Sequence, residues 1–351
     1  MNADRLGTRR RVSGCRVIVR CALLIAALFA PVMAPVAAVT AAEPGPKAPE
    51  LISVRRIWNA GPHNAFTDLV RHGDAWFCVF REGQGHVSPD GAVQVLTSKD
   101  GETWTSAARL TSPRGDLRDP KIVRAPGRRL MIVAAIALPA GAPAKHQSLV
   151  WFSDDGRKWD SPTDVGDPDV WLWRVAWRDE DMALGIGYDT QAEKFTRLYR
   201  TADGKRFETV LSRLFDQGYP NETGIAYLPD QTAVCLLRRD GTPGSGLVGV
   251  ARPPYEKWDW KDLGVRIGGP QLLRLPDGRL IGAVRLYDGG ARTALVWVDA
   301  DKGRIAECLK LPSGGDTSYP GMVWHDGQLG VSYYSSHEGQ TSIYFARVRI
   351  P

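Results

Sequence analysis

The sequence predicts an all-β fold, a six-bladed β-propeller of four-stranded antiparallel sheets, from three observations. Short alternating or apolar runs recur between Gly, Asp and Pro residues, and no long helical periodicity interrupts them. A polar turn repeats at a spacing near fifty residues, as SKDGETW (98–104), SDDGRKW (153–159) and TADGKRF (201–207). The last repeat lacks one strand, and an unassigned strand remains near the start of the chain. Repeats of this length are typical of propellers and related arrays.

The predicted strands group into six units. The strands of the first unit are AFTDLVR (65–71), AWFCVF (75–80), AVQVLT (92–97) and TWTSAARL (103–110). The first strands of the next four units are predicted at residues 121–125, 171–177, 222–228 and 271–275. The sixth unit supplies only strands 319–324, 328–334 and 341–348, so we expect LISVRRIW (51–58) to complete it. Closing the last sheet with the first strand removes an exposed edge.

The repeated turn has a physical explanation. Ser or Thr and Asp bond to local backbone groups, Gly adopts a positive φ, and the final aromatic ring packs between sheets. The pattern S/T-x-D-G-x-x-W/F resembles the Asp-box of sialidase-like propellers, and the resemblance covers essentially the whole chain after its leader. It implies that these turns are structural, so Ser98, Asp100, Trp104 and their counterparts are not active-site candidates.

The first 42 residues are predicted to be a signal peptide, and residues 43–351 the propeller. Several arginines precede an apolar run that ends in small residues, the pattern of an exported protein, and no membrane attachment is expected after cleavage. Without this leader the chain has 39 basic and 38 acidic residues, which gives no indication of nucleic-acid binding. Three cysteines remain, Cys78, Cys235 and Cys308, and their odd number argues against a disulfide framework. We expect neither a metal nor a cofactor, and the sequence does not indicate an oligomeric state.

Tyr319 and Glu222 are the main catalytic candidates. Tyr319 follows a glycine-rich turn that carries Asp316, a candidate substrate-binding residue, and Glu222 stands at the start of a predicted inner strand. The resemblance to exo-sialidases implies that Tyr319 is the nucleophile and Glu222 the base that activates it. A neutral phenol suits attack beside a substrate carboxylate, which would repel an anionic nucleophile.

Arginines at matching positions of different units are candidates for a carboxylate clamp. Arg239 and Arg285 end the second strands of their units, and Arg81 does so in the first unit. The resemblance implies that an arginine near Arg239 holds the substrate carboxylate, although strand alternation leaves Arg238 as an alternative. Sialidases carry an Arg-Ile-Pro motif in the first unit, where this sequence has Asn64 and Ala65. Arg81 is therefore the candidate to replace that arginine.

The remaining candidates come from the first three units. Asp119 and His86 are possible proton donors for the leaving group, with Asp90 as a further alternative to His86. Residues that we expect at the channel mouth and assign to substrate binding are Arg118, Trp173 and Arg174. The sequence thus predicts a secreted exo-acting glycoside hydrolase that removes a terminal, acidic sugar from a glycan or glycoconjugate.

Two other functions are compatible with the sequence. The run RDP before a strand also resembles five-bladed furanosidases, in which Asp68, Asp119 and Glu222 would be the catalytic carboxylates. Six units and the Asp-box pattern count against that assignment. A non-catalytic glycan-binding propeller is the third possibility, since a fold alone does not define a function. The presence of both a Glu and a Tyr among the candidates favours an enzyme.

Overall fold

The computed structural model describes residues 48–351, so the predicted signal peptide (1–42) lies outside the described residues. The described chain forms 24 strands in six four-stranded antiparallel sheets, which confirms the predicted six-bladed propeller. One three-residue 3-10 turn, Pro126–Arg128, interrupts the strands. Within residues 48–351, no helix is long and apolar enough to cross a membrane.

Each blade consists of one sheet, with its inner strand first. Blades 1 to 3 contain β2 (His63–His72), β3 (Ala75–Gly83), β4 (Ala92–Ser98), β5 (Thr105–Leu110), β6 (Asp116–Ala125), β7 (Arg129–Ala137), β8 (His146–Ser153), β9 (Thr163–Val165), β10 (Val170–Trp177), β11 (Ala183–Asp189), β12 (Thr196–Thr201) and β13 (Glu208–Phe215). Blades 4 to 6 contain β14 (Pro220–Tyr227), β15 (Ala233–Arg239), β16 (Leu247–Ala251), β17 (Asp259–Asp262), β18 (Ile267–Arg274), β19 (Leu280–Leu286), β20 (Arg292–Asp299), β21 (Arg304–Lys310), β22 (Thr317–His325), β23 (Gln328–Ser335), β24 (Ser342–Arg349) and β1 (Glu50–Trp58).

The first strand of the described chain closes the ring. β1 pairs antiparallel with β24, with Leu51 opposite Val348 and Arg55 opposite Phe345. Blade 6 therefore has the order β1-β24-β23-β22, as the sequence predicts. The two ends of the propeller therefore meet in one sheet, in which β1 is the outer strand.

The repeated turns have the expected hydrogen bonds. In residues 98–104, Ser98 Oγ accepts from the Gly101 N–H at 2.8 Å, and Asp100 Oδ1 accepts from the Glu102 and Thr103 N–H groups at 2.8 and 2.9 Å. Gly101 has a φ of 73°. The turns at 153–159 and 201–207 repeat this arrangement, and the glycine of each turn packs against a neighbouring blade.

A β-bulge at the same position in every inner strand shapes the channel. The strand-pairing register shifts between Ala65 and Asp68 in β2, and equivalent shifts occur in β6, β10, β14, β18 and β22. The residues within the six bulges include Phe66, Asp119, Trp173, Glu222, Gly269 and Tyr319. Bulges re-aim side chains, so these shifts change which residues of the inner strands face the channel.

The inner strands begin earlier than the sequence pattern suggests. β6 starts at Asp116 and β14 at Pro220, so Asp119 and Glu222 lie within strands and not at their starts. The bulges interrupt the alternation of apolar and polar residues, which is why the sequence pattern hides the first residues of these strands. Cys78, Cys235 and Cys308 are free thiols, of which the first two are buried.

Candidate active site

Tyr319 and Glu222 make the central contact of the site. Tyr319 is the third residue of β22 in blade 6, and Glu222 is the third residue of β14 in blade 4. The Tyr319 phenol donates a hydrogen bond of 2.5 Å to Oε1 of Glu222. The two residues are 8% and 7% exposed. The contact is thus largely shielded from bulk water, where hydrogen bonds are electrostatically weaker.

Two donors hold the other carboxylate oxygen of Glu222. Oε2 accepts from Nη1 of Arg238 and from the Gly269 N–H, both at 2.8 Å. Nη1 of Arg238 also lies 3.0 Å from the Tyr319 phenol oxygen. Asp240 binds the opposite side of the Arg238 guanidinium at 3.1 Å. The Glu222 carboxylate is therefore fixed with Oε1 directed at the phenol.

The charge states suit an activated nucleophile. Burial, together with the Glu222 carboxylate, raises the pKa of Tyr319 well above its usual value, so the phenol is protonated at neutral pH. Burial alone would lower the pKa of Arg238, but Glu222 and Tyr319 raise it overall, so the guanidinium remains charged. A protonated nucleophile beside a fixed carboxylate that can accept its proton is the arrangement required for nucleophilic catalysis.

Arg238 and Arg239 have different surroundings, although they are neighbours on β15. Arg238 contacts Tyr319 and Glu222, whereas the Arg239 guanidinium donates to the Ser245 carbonyl at 2.7 Å and pairs with Asp262. Successive residues of a strand point to opposite faces, so only one of the two reaches the channel. The structure places Arg238 there, and Arg239 links β15 to the end of blade 4.

Arg285 supplies a second positive charge beside the phenol. Its Nε donates to the Thr317 carbonyl at 2.7 Å, and its Nη2 donates to the Tyr334 hydroxyl at 3.0 Å. Its Cζ lies 5.3 Å from the centre of the Tyr319 ring. Burial alone would lower the pKa of Arg285, but Tyr334 and Tyr319 raise it overall. Arg285 therefore remains charged next to the candidate nucleophile.

Blade 2 contributes Asp119 and Arg118. Asp119 is 6% exposed, and burial raises its pKa although Arg118 opposes this. Nε of Arg118 lies 4.0 Å from Asp119 Oδ2 and, within residues 48–351, is buried without a hydrogen-bond partner. The centre of the Phe66 ring lies 6.0 Å from Cζ of Arg118 and 5.1 Å from the centre of the Tyr319 ring. The site thus includes a carboxyl that can hold a proton and a guanidinium with an unused donor.

A buried charged layer lies further along the inner strands. Arg174 is 4% exposed, and its Nη1 donates to Asp68 at 3.2 Å. Lys121 is 1% exposed, with its Nζ 4.6 Å from the centre of the Trp173 ring, and burial lowers the pKa of Lys121 to about 8. Trp173 packs edge-on against Tyr319 at 5.7 Å. In the structure Arg174 and Trp173 are therefore buried packing residues, and Trp173 lies next to Tyr319.

Arg81, proposed from the sequence for the carboxylate clamp, is fully buried and bonded within the protein. Its guanidinium donates to Asp116 Oδ1 at 2.8 and 3.0 Å, to the Gly85 carbonyl at 2.7 Å and to the Ser88 carbonyl at 2.9 Å. All three guanidinium nitrogens thus have protein partners. The structure places Arg81 under the 84–91 loop, and the hydrogen bonds of its guanidinium connect this loop to blade 2.

The 84–91 loop holds His86 against Asp316. His86 Nδ1 lies 3.0 Å and His63 Nε2 lies 3.3 Å from Asp316 Oδ2, and the Tyr334 hydroxyl donates to Oδ1 at 2.6 Å. Burial alone would raise the pKa of Asp316, but hydrogen bonds from His63, His86 and Tyr334 hold it well below its usual range. Asp316 is therefore an ionised carboxylate that its neighbours already bind.

The opposite end of the channel contains a cavity. Its volume is about 1110 Å³, and it is lined by the ends of the inner strands, including Arg71, Arg124 and Arg274. Tyr319 and Glu222 do not line this cavity. The candidate active site is thus separate from it.

Several participants in the site were not predicted from the sequence, among them Lys121, Gly269 and His63. Lys121 could have been found, because a lysine within an otherwise apolar inner strand requires a partner for its charge. Gly269 takes part through its backbone N–H. Nearly every residue type carries this group, so nothing in the sequence indicates its role. His63 gave no signal, since its partners His86 and Asp316 are remote in the chain.

Comparisons with known proteins agree on the architecture. No protein-family model matches the sequence, and no curated protein sequence matches it. Among solved structures, a protein of unknown function from Dyadobacter fermentans has a TM-score of 0.75 and 19% identity over 87% of this chain and 100% of that chain. An α-L-arabinanase of Penicillium chrysogenum in complex with arabinobiose has a TM-score of 0.63 and 13% identity, over 86% of this chain and 98% of that chain.

A sialidase also shares the fold. The Trypanosoma rangeli sialidase in complex with the inhibitor DANA has a TM-score of 0.61 and 14% identity. The match covers 81% of this chain but only 55% of the sialidase. At these identities the likeness shows that the chain has the propeller fold of these proteins.

Proposed function

We propose that this chain is an exported, retaining exo-glycoside hydrolase that releases a terminal acidic sugar, with Tyr319 as nucleophile and Glu222 as its base. The observation that supports this most directly is the 2.5 Å hydrogen bond from the Tyr319 phenol to Glu222. Export follows from the signal peptide predicted over residues 1–42. The fold similarity to a sialidase and an arabinanase supports a glycosidase in general.

The proposed reaction has two steps. Tyr319 Oη forms a bond to the anomeric carbon and gives its proton to Glu222, while the glycosidic C–O bond breaks. Asp119 protonates the leaving oxygen, which its raised pKa favours. Water then attacks the anomeric carbon with Asp119 as base, and Tyr319 Oη leaves and recovers its proton from Glu222. Two displacements retain the anomeric configuration.

Asp119 suits the acid role better than His86. Among the described residues, the Asp119 carboxyl has no direct hydrogen-bond partner at standard distances, and its closest basic contact is Arg118 at 4.0 Å. The Nδ1 atom of His86, in contrast, is engaged with Asp316 at 3.0 Å. A group without competing partners can transfer its proton at lower cost.

An acidic substrate is favoured by the arginines around Tyr319. Arg238 and Arg285 both place a positive charge against the phenol, and among the described residues the Nε of Arg118 is buried without a partner. The Arg238 nitrogens already bond to Asp240, Glu222 and Tyr319, so a substrate carboxylate would take its hydrogen bonds from Arg285 or Arg118. Guanidinium groups bind carboxylates through paired, charge-assisted hydrogen bonds. A sugar whose carboxylate is adjacent to the anomeric carbon, such as a sialoside, would place its negative charge among them.

A furanosidase is the second candidate, and the similarity to an arabinanase over nearly its full length favours it. Asp119 and Glu222 would then form the catalytic carboxylate pair, because both occupy bulge positions of the ring. Asp68, the third carboxylate of that assignment, is 1% exposed and accepts hydrogen bonds from Arg174 and from the Ile122 N–H.

A panel of aryl glycosides tests the proposal. Wild type, Tyr319→Phe and Glu222→Gln are assayed on a sialoside, a glucuronide, an arabinofuranoside and a galactoside, and NMR identifies the first-formed anomer. Tyr344→Phe is the matched control, because the Tyr344 hydroxyl also donates to a glutamate, Glu338, at 2.8 Å. We expect turnover of the sialoside with retention, lost in both site variants and kept in the control.

Other outcomes are equally informative. Hydrolysis of the arabinofuranoside alone would replace the proposal with the furanosidase. Turnover that survives Tyr319→Phe would remove the nucleophile role. Glycan binding without hydrolysis of any substrate would identify a binding propeller.

A further inference from the structure

Two histidines and an aspartate converge where blade 1 meets blade 6. His63 lies at the start of β2, His86 in the 84–91 loop, and Asp316 directly before β22. One ligand atom of each residue lies within 4.8 Å of the others. His63 Nε2 and His86 Nδ1 approach the same carboxylate oxygen, Asp316 Oδ2, at 3.3 and 3.0 Å.

The second carboxylate oxygen of Asp316 is held by the protein, whereas His63 Nδ1 is buried without a hydrogen-bond partner among the described residues. Asp316 Oδ1 accepts from the Tyr334 hydroxyl at 2.6 Å and lies 3.5 Å from Arg285 Nη2. His63 is 9% exposed, and its ring packs against Phe66. Oδ2 is thus the oxygen of Asp316 that faces the imidazoles, while Oδ1 has outer partners. Outer hydrogen bonds of this kind orient the ligands of metal sites.

We propose that His63 Nε2, His86 Nδ1 and Asp316 Oδ2 bind one divalent transition-metal ion, with zinc as the ion that the ligand set favours. Two imidazoles and one carboxylate are typical zinc ligands, and three protein ligands leave a position open for water or substrate. Ligands about 2.0–2.1 Å from zinc lie about 3.3 Å apart in a tetrahedron, close to the two distances from Oδ2. Calcium and magnesium prefer oxygen ligands.

The ion would lie at the same end of the channel as Tyr319. The Phe66 ring contacts both His86, at 5.0 Å, and Tyr319, at 5.1 Å between ring centres. His86 has 52% of its side chain exposed, so the open position would be accessible to an oxygen of a bound sugar. The positive charge of Arg285 beside Asp316 opposes a cation, so we expect moderate affinity.

Metal binding is measured directly, without any substrate. The tag-free protein is treated with EDTA, dialysed and titrated with zinc chloride by calorimetry, and bound zinc is counted by mass spectrometry. His86→Gln and Asp316→Asn remove one ligand each. His337→Gln is the control, because His337 is an exposed histidine close to the loop that carries Asp316, and its Nδ1 lies 2.9 Å from Ser335 Oγ. Circular dichroism checks that all variants fold.

We expect one zinc ion per chain, at least tenfold weaker binding in His86→Gln and Asp316→Asn, and unchanged binding in the control. Uptake well below one ion per chain would overturn the proposal and leave the cluster as a hydrogen-bonded His–Asp–His group. Equal uptake by wild type and both ligand variants would place the zinc elsewhere and would also overturn it. Neither result bears on the Tyr319–Glu222 chemistry.

Discussion

The phenol of Tyr319 donates a 2.5 Å hydrogen bond to Glu222 across the channel, although 97 residues separate the two in the chain. Arg238 contacts both partners and fixes the carboxylate from the other side. The three side chains therefore form one connected group. Residues that act as a unit show strongly non-additive effects when they are removed.

The pair can be tested by a double-mutant cycle. In the proposed mechanism Glu222→Gln and Tyr319→Phe each remove the activated nucleophile, so each should lower kcat by about 10³-fold or more. The double variant should be no slower than the slower single variant. Steady-state kinetics on the best aryl glycoside are measured for the wild type, the two single variants and the double variant. Multiplicative losses would show that the two residues act independently, in conflict with a nucleophile–base pair.

Substitution of Arg238 should lower activity, whereas substitution of the neighbouring Arg239 should lower stability. Arg238→Lys keeps the charge but loses the paired contacts to Glu222 and Tyr319, so we expect kcat/KM to fall about 10- to 100-fold. Arg239→Lys breaks contacts to Ser245 and Asp262, so we expect a lower denaturant midpoint with kcat/KM within about twofold of wild type. Enzyme kinetics and urea unfolding on both variants provide the comparison. The opposite assignment would mean that Arg239 reaches the substrate.

The raised pKa of Asp119 predicts the pH dependence. The leaving group requires the protonated carboxyl, and burial extends that form to higher pH. kcat/KM should therefore fall as the pH rises through the raised pKa, and Asp119→Asn should abolish this alkaline limb. The measurement is the pH dependence of kcat/KM on two substrates, one with a good and one with a poor leaving group. The poor leaving group depends more on protonation, so its profile should show the alkaline limb more strongly. An unchanged limb in Asp119→Asn would assign the acid to another residue.

The fold could be predicted because its signals are local. Each blade repeats the same strand lengths and turns, and Ser98, Asp100 and Gly101 bond within a few residues of one another. The site could be predicted only in part. The β-bulges alter which side chains face the channel, so the choice between Arg238 and Arg239 depends on a register that the sequence pattern does not show.

Side-chain contacts between neighbouring blades left no trace in the sequence. Arg81 occupies the position in blade 1 that Arg239 occupies in blade 4, yet its partner Asp116 comes from the next blade. His63 and Asp316 are paired because blades 1 and 6 are neighbours in the closed ring. Such contacts follow from the three-dimensional arrangement of blades and not from residue spacing.

The buried layer below the site should contribute to stability. Asp68→Asn leaves the buried Arg174 without its counter-charge, which costs about 3–5 kcal/mol when a buried pair is broken. The matched control is Asp164→Asn, because Asp164 pairs with Arg114 at the surface, with 49% and 44% of their side chains exposed. We expect that control to change the unfolding free energy by about 0.5 kcal/mol or less. Urea unfolding measures both, and an Asp68→Asn protein that is stable but inactive would support the furanosidase assignment.

The repeated turns should fasten neighbouring blades through their glycines. A Cβ added at Gly156 would lie 2.2 Å from Cε1 of Phe77 in blade 1, whereas one at Gly127 would meet nothing within 4 Å. Both glycines have left-handed backbones, with φ values of 71° and 69°, so alanine costs about 1–2 kcal/mol at either position. Gly156→Ala should lose about 1–3 kcal/mol more, because it also displaces the Phe77 ring. Urea unfolding of the two variants measures the difference. Equal losses of unfolding free energy in the two variants would mean that packing of the 153–159 turn against blade 1 does not contribute to stability.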